Sequence, residues 1–284
     1  MVERSDDPEL VASFYTLSGA GFGQPPRHTF EQRCEAAAAA GFAGIGLHTD
    51  DLARTRASGL DVPGMRRVLD GAGLRLVEIE FLDGWAVDPD PLSLAAGVAD
   101  VEAVADALGG RHVSAGVFGQ GALDLDAAAA RLASVAGRLG ARGLLVAVEA
   151  FPWSALPDVA TARELLRRAG AANAGLMVDV WHFFNGGANP DLLTDLPGAG
   201  VAAVQLNDGP RVHEDHLRHA RAARRLPGFG DLDVVALVRA VQDVGFAGPW
   251  CVEVNTPAFR ELPVGEAART AVDAALRVLD AARR

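Results

Sequence analysis

Short aliphatic runs alternate along the chain with longer Ala/Leu/Arg segments whose apolar residues recur at helical spacing. The runs stand at residues 11–17, 44–48, 74–82, 112–118, 144–150, 175–180, 201–206 and 250–254. Each is short, apolar and bounded by turn residues, which predicts buried strands. Residues 29–40, 63–72, 93–108, 125–139, 158–169, 231–244 and 264–282 predict helices between and after them. Leu232, Val235, Val238 and Val241 keep an i, i+3 stripe, and Val272, Leu276 and Leu279 keep another. Only the segment between the sixth and seventh runs, 189–196, is short. Gly41-Phe42-Ala43-Gly44 and Gly245-Phe246-Ala247-Gly248 echo each other before strands two and eight. At both places a helix must close on a left-handed glycine before a strand begins.

Strands alternating with helices are βα units around a parallel sheet. Eight of them, with no Pro-, Ser- or charge-rich linker, predict one α/β domain over residues 1–284, a closed (β/α)8 TIM barrel. An open doubly wound sheet would want Gly-x-Gly-x-x-Gly after its first strand. Ser18-Gly19-Ala20-Gly21-Phe22-Gly23 has the wrong spacing for that and no helix start directly behind it.

Composition narrows the chemistry. Half the residues are hydrophobic, enough for a large core, and 37 acidic residues against 26 basic ones give a net charge of −11. That balance excludes a binder of the nucleic-acid backbone, which needs a basic stripe. There is no lysine, so Schiff-base chemistry and a Walker-type phosphate lysine are excluded as well. Cys34 and Cys251 make no disulfide framework, and Cys251 reads as a small core residue. Residues 1–10 carry five charges and no apolar signal core, and no apolar run approaches the roughly 20 residues of a membrane span. The expectation is a cytoplasmic protein that does not enter membranes.

Barrel chemistry sits where the strands end. The fifth run ends in Glu149, the sixth in Asp179, the seventh carries Gln205 before Leu206-Asn207-Asp208, and the eighth carries Glu253. Buried carboxylates need cations or protons. One acid is readily paired with an arginine; three on neighbouring strands, with an amide among them, are more simply explained by a shared divalent ion. Such oxygen ligands suit Mg²⁺ or Mn²⁺.

These residues resemble those of the xylose-isomerase-like TIM barrels, the sugar phosphate isomerase/epimerase superfamily, which includes keto-sugar epimerases, inosose isomerases and dehydratases, and 3-dehydroshikimate dehydratases. The resemblance extends over nearly the whole chain. It implies one divalent metal ion (Mn²⁺ or Mg²⁺, with Co²⁺ as a further option) held by Glu149, Asp179, Gln205 and Glu253. It implies Glu149 and Glu253 as the acid/base pair. His182, three residues after Asp179, and Arg211, six after Gln205, are implied to contact substrate oxygens and to steady charge on the developing oxyanion. Arg225-Leu226-Pro227-Gly228-Phe229-Gly230-Asp231 is similar to the family's loop before the seventh helix. Gln205 departs from the histidine of the better-known epimerases; its carbonyl ligates more weakly than imidazole, or it hydrogen-bonds a ligand or substrate instead.

The implied activity is isomerisation or epimerisation of a keto sugar or cyclitol through an enediolate, without phosphate on the substrate. The alternative is a lyase of the same superfamily, acting on an inosose, a dehydroshikimate or an oxidised C-glycoside; another is a non-catalytic sugar-binding or assembly subunit. The DNA-repair branch is set aside, because the chain lacks its histidines and a basic face. A homo-oligomer, or assembly with a partner subunit, is implied by resemblance only. Further candidates are Glu80, which shares a strand face with Glu78 and either faces the pocket or forms an ion pair in the barrel mouth, and His48, which either touches substrate or caps a helix. Trp85 and Trp153, with Phe183 and Phe184, either floor a sugar pocket or pack loops. His213, His216 and His219 read as a solvated helical face or lid. Gly228–Gly230 and Asn255-Thr256 occupy the usual phosphate position, or only launch helices.

Overall fold

The computed structural model describes residues 8–87 and 90–284. Residues 1–7, most of the stretch judged against a signal peptide, lie outside the described residues. The strands are β1 (Leu10–Ala12), β2 (Gly44–His48), β3 (Arg75–Leu82), β4 (His112–Ala115), β5 (Leu145–Glu149), β6 (Ala174–Asp179), β7 (Val201–Leu206) and β8 (Trp250–Val252). They pair in parallel in chain order, and β8 closes on β1, so the chain is a (β/α)8 barrel.

The seven long helices lie within three residues of the predicted bounds, because their ends are written in the sequence. Thr29 and Gln32 form a reciprocal capping box ahead of Phe30–Ala40, and Asp61, Asp90, Asp124, Asp158 and Asp233 each accept a first-turn N–H of a later helix. The echoed glycines do what the pattern required: Gly41 and Gly245 have φ of 96° and 84°. Apolar faces of these helices pack on the outside of the barrel, as in the buried set Val234, Leu237, Val238 and Val241. No described helix is long and apolar enough to cross a membrane.

The first strand departs from expectation. It stops at Ala12, and Phe14–Ser18 forms a short helix closed by Gly19 at φ 65°. The Phe14 N–H donates to Glu80 Oε1 at 2.8 Å instead of to a strand ladder, and Thr16 Oγ1 donates to the Val252 carbonyl at 2.8 Å. A Cβ on Gly46 would lie 2.9 Å from both Phe14 N and Glu80 Oε1, so glycine there keeps this crossing open. Phe14, Tyr15 and Leu17 are buried. Their apolar character reported burial across the barrel mouth, where helix and strand look alike in so short a run. The fourth strand likewise ends at Ala115 rather than at residue 118. Short helices Thr49–Ala57, Val180–Asn185, His216–Ala222 and Pro257–Arg260 follow β2, β6, β7 and β8 at the same end.

Candidate active site

At the C-terminal end of the strands, β5 delivers Glu149, β6 Asp179, β7 Gln205, and the residue after β8 is Glu253. Asp179 and Gln205 are register partners. All four are buried, at 1–7% exposure, and three of them, Glu149, Gln205 and Glu253, line a cavity of about 330 Å³ with His182, His48, Glu80 and Ser114. Asp179 supports it from behind. Its Oδ1 caps Val180–Asn185 by accepting the His182 N–H at 2.8 Å, and its Oδ2 accepts Asn207 Nδ2 at 2.6 Å. Asn207 Oδ1 accepts the Trp181 N–H in turn, at 2.9 Å.

A cation not singled out from the sequence holds these acids together. Arg224, buried, donates from Nη1 to Asp179 Oδ2 at 2.9 Å and to Glu253 Oε2 at 2.5 Å. Its Nη2 lies 2.7 Å from His182 Nε2. Guanidinium only donates, so His182 Nε2 must accept and the imidazole is neutral with its proton on Nδ1. Burial drives the His182 pKa down to about 3, against the pull of Asp179 and helped by the charge of Arg224. Burial, then Asp179 and Glu253, push Glu149 well above the usual carboxylate range. Glu253 is raised to about 7, mainly by burial, with Arg224 pulling it back. Signals for Arg224 existed: in a lysine-free chain the balancing cation for buried acids had to be an arginine, and Arg224 immediately precedes the recognised Arg225–Asp231 loop.

The other candidates divide. Glu80 faces the cavity and also accepts the Phe14 N–H; burial, then Glu78 and Glu253, raise it well above its ordinary pKa. His48 does both things considered for it, accepting the Asp50 N–H at 3.3 Å while lining the cavity. Trp153 lines it, stacked on Phe151 at 5.0 Å. Trp85 does not: it is 1% exposed and packs in the hydrophobic core. Arg211 is also corrected. It is exposed, and its guanidinium lies over the Phe184 ring, 5.0 Å from the centroid, away from the cavity. Phe183 is core. Phe81, Phe118 and Phe151, which the sequence reading did not select, form the wall with Trp153; Phe118 stacks on Phe151 at 5.1 Å. Helix His216–Ala222 covers the mouth, with Leu217, Ala220 and Arg221 lining the cavity. The phosphate position is committed internally: Asn255 Nδ2 donates to the Ala20 carbonyl, Thr256 caps the Phe259 N–H, and Gly230 is packed against Asp208. Cys251 is buried, but its Sγ donates to Glu78 Oε2 at 3.3 Å, so it is more than packing.

The donor set fits a hard divalent ion. Ligand atoms of Glu149, Asp179 and His182 lie within 4.8 Å of one another. Gln205 Oε1 is a buried carbonyl oxygen with no hydrogen-bond partner among the described residues. Among the described residues, the nearest cation-capable group to the Glu149 carboxylate is the neutral His182, 3.6 Å away. Arg224 holds the place between Asp179 and Glu253, so a cation bound by both would compete with its guanidinium.

Comparison with known proteins agrees with this architecture. A family model described as xylose isomerase-like TIM barrel matches residues 34–281. Over 244 residues the chain is 31% identical to a 3-dehydroshikimate dehydratase of Pseudomonas aeruginosa, covering 83% of this chain and 37% of that protein. It is 26% identical over 145 residues to an inosose isomerase of Halalkalibacterium halodurans, covering 48% of this chain and 49% of that one. The matched regions thus span less than half the length of either relative. The structure of an IolI protein with a bound zinc atom superposes with a TM-score of 0.84 at 17% identity, over 96% of this chain and 98% of that one. The chain belongs to the xylose isomerase-like TIM-barrel family.

Proposed function

We propose that the protein is a divalent-metal-dependent lyase that removes water from a hydroxylated cyclic ketone of the 3-dehydroshikimate type. The observation carrying this reading is the make-up of the cavity: the carboxyls of Glu80, Glu149 and Glu253 share it with the rings of Phe81, Phe118, Phe151 and Trp153. A keto sugar carries a hydroxyl on nearly every carbon, and hydroxyls turned toward that wall would lose their hydrogen bonds. A cyclohexenone with its ketone and vicinal hydroxyls turned to the acids can lay its ring carbons against the aromatic rings, and the carboxylate that a dehydroshikimate carries opposite them can reach Arg221, which also lines the cavity. The similarity to the Pseudomonas dehydratase supports the same choice between proton return to carbon and loss of a β-hydroxyl.

Glu149, Asp179, Gln205 and Glu253 would hold the ion, which supplies Lewis acidity for the ring ketone. One of Glu149 and Glu253 takes the proton from the carbon beside that ketone, and the electron pair moves into an enolate. The β-carbon–oxygen bond then breaks, and the other acid gives its proton to the departing hydroxyl, which leaves as water. A new ring double bond remains. In a dehydroshikimate, enolisation of the ketone then completes an aromatic ring. His182, neutral and held through Nε2 by Arg224, stands edge-on to Phe151 and Trp153 and keeps the aromatic wall in place beside Glu149, and that wall excludes water from the enolate.

Incubation with 3-dehydroshikimate and Mn²⁺, followed by ultraviolet absorbance, tests the reading: an aromatic product is expected. Exchange of the α-proton in D₂O without loss of water would overturn the lyase assignment in favour of an isomerase. That second reading has its own support in the inosose isomerase similarity.

A further inference from the structure

The Gln205 amide has one end committed and the other free. Its Nε2 donates to Glu78 Oε1 at 3.0 Å, while its Oε1 is buried without a partner among the described residues. Glu78 lies on β3 behind the cavity wall, fully buried among donors. His112 Nε2 and Ser114 Oγ, from β4, reach Oε1 at 3.3 and 3.0 Å, and Cys251 Sγ reaches Oε2 at 3.3 Å.

Both Glu78 oxygens meet their neighbours as acceptors, Oε1 from Ser114 Oγ and Gln205 Nε2, and Oε2 from Cys251 Sγ. Turning the Gln205 amide over would set its carbonyl oxygen against a carboxylate oxygen at about hydrogen-bond distance and leave the amide nitrogen as the free end. We infer that Glu78 is a positioning residue: by accepting the Gln205 amide N–H, it fixes Gln205 Oε1 as the free oxygen donor for a divalent cation. This rests on the metal reading above and adds to it the group that makes a glutamine serviceable as a ligand. It also gives a reason for a buried acid that the reaction itself does not use.

The test is Mn²⁺ binding by titration calorimetry, with no substrate present. Glu78→Gln, whose amide offers both donor and acceptor to Gln205, is expected to weaken binding by about 10–100-fold, the usual cost of losing a partner that orients a ligand. Adding Gln205→Glu to that variant reverses the hydrogen bond. The new amide at position 78 donates, and the new carboxylate at position 205 keeps an oxygen free whichever way it turns. The double variant preserves net charge and is expected to regain affinity. Cys251→Ala removes another Glu78 partner without touching Gln205 and is expected to bind Mn²⁺ like the wild type. If Glu78→Gln does not fold, Glu78→Asp keeps the charge, withdraws the carboxylate from Gln205, and is expected to weaken binding in the same sense. Wild-type protein that binds no divalent ion would overturn the metal reading and this inference with it. Wild-type binding matched by Glu78→Gln or Glu78→Asp, or lost in Glu78→Gln and not regained in the double variant, would overturn the inference alone.

Discussion

Replacing Arg224 by leucine should destabilise the metal-free protein far more than the metal-loaded one. In the structure its side chain is 4% exposed, and one guanidinium nitrogen bridges Asp179 and Glu253 while another reaches His182. Deleting it leaves buried acids without their cation, a change that typically costs about 3–5 kcal/mol. Chains of this size lose about 2 °C in melting temperature per kcal/mol, so the variant should melt about 6–10 °C below the wild type in chelator. The same nitrogen stands between two oxygen donors assigned to the divalent ion, so ion and guanidinium oppose each other. Excess Mn²⁺ should therefore close most of the gap, and the variant should bind Mn²⁺ more tightly than the wild type. Calorimetric melting in chelator and in Mn²⁺ reads both effects. Equal melting temperatures in chelator, or a deficit unchanged by Mn²⁺, would refute the argument that Arg224 acts as the resident counter-charge.

Glu149→Gln should fold normally and lose about 10²–10⁴-fold in turnover, measured with the α-proton exchange that accompanies it; retained exchange would remove Glu149 from proton transfer. Trp153→Ala removes a ring stacked on Phe151 and should raise KM about 3–10-fold with a smaller change in kcat, read from steady-state kinetics. Arg211→Ala should leave both constants within about twofold, since its partner is the Phe184 ring; a large loss would restore it to the substrate site. The pH prediction follows from Glu253, raised from an ordinary 4.5 to about 7 in the folded state. Between those values the folded protein holds a proton that the unfolded chain has released, so metal-free stability should fall as pH rises through the window. The loss attributable to Glu253 is about 3 kcal/mol. Denaturant midpoints in chelator at about pH 5 and about pH 7.5 check the sign, and a midpoint that rises across that interval contradicts it.

The barrel was legible because its signals are local: aliphatic runs of strand length, aspartates placed to cap helices, and glycines that must adopt positive φ. The oxygens gathered at the end of the barrel were legible for a related reason. A carboxylate or amide ending an aliphatic strand has few uses other than at the mouth of a barrel, and Glu149, Asp179, Gln205 and Glu253 all lie there. What escaped depends on how loops return across that mouth. Arg224 and Arg211 follow the same strand and carry the same charge; spacing from Gln205 favoured Arg211. The decision is made by the bridge between Asp208 and Arg225, whose backbones exchange hydrogen bonds at 2.9 and 2.8 Å. That bridge pins the end of the excursion beside the acids and leaves residue 211 on its outer limb. The aromatic wall escaped similarly. Trp85 and Trp153 both follow strands by a few residues, yet only Trp153 stacks on a ring turned into the cavity, while Trp85 is drawn under the helices, its carbonyl accepting from Arg131. Glu78 was visible only as a partner of Glu80 in the period-two pattern of its strand. Its four side-chain donors from β4, β7 and β8 lie 34 to 173 residues away in sequence, brought together by closure of the barrel alone. The orientation of a single amide, and with it the suitability of Gln205 as a ligand, is therefore set by the tertiary fold and not by the residues adjoining it.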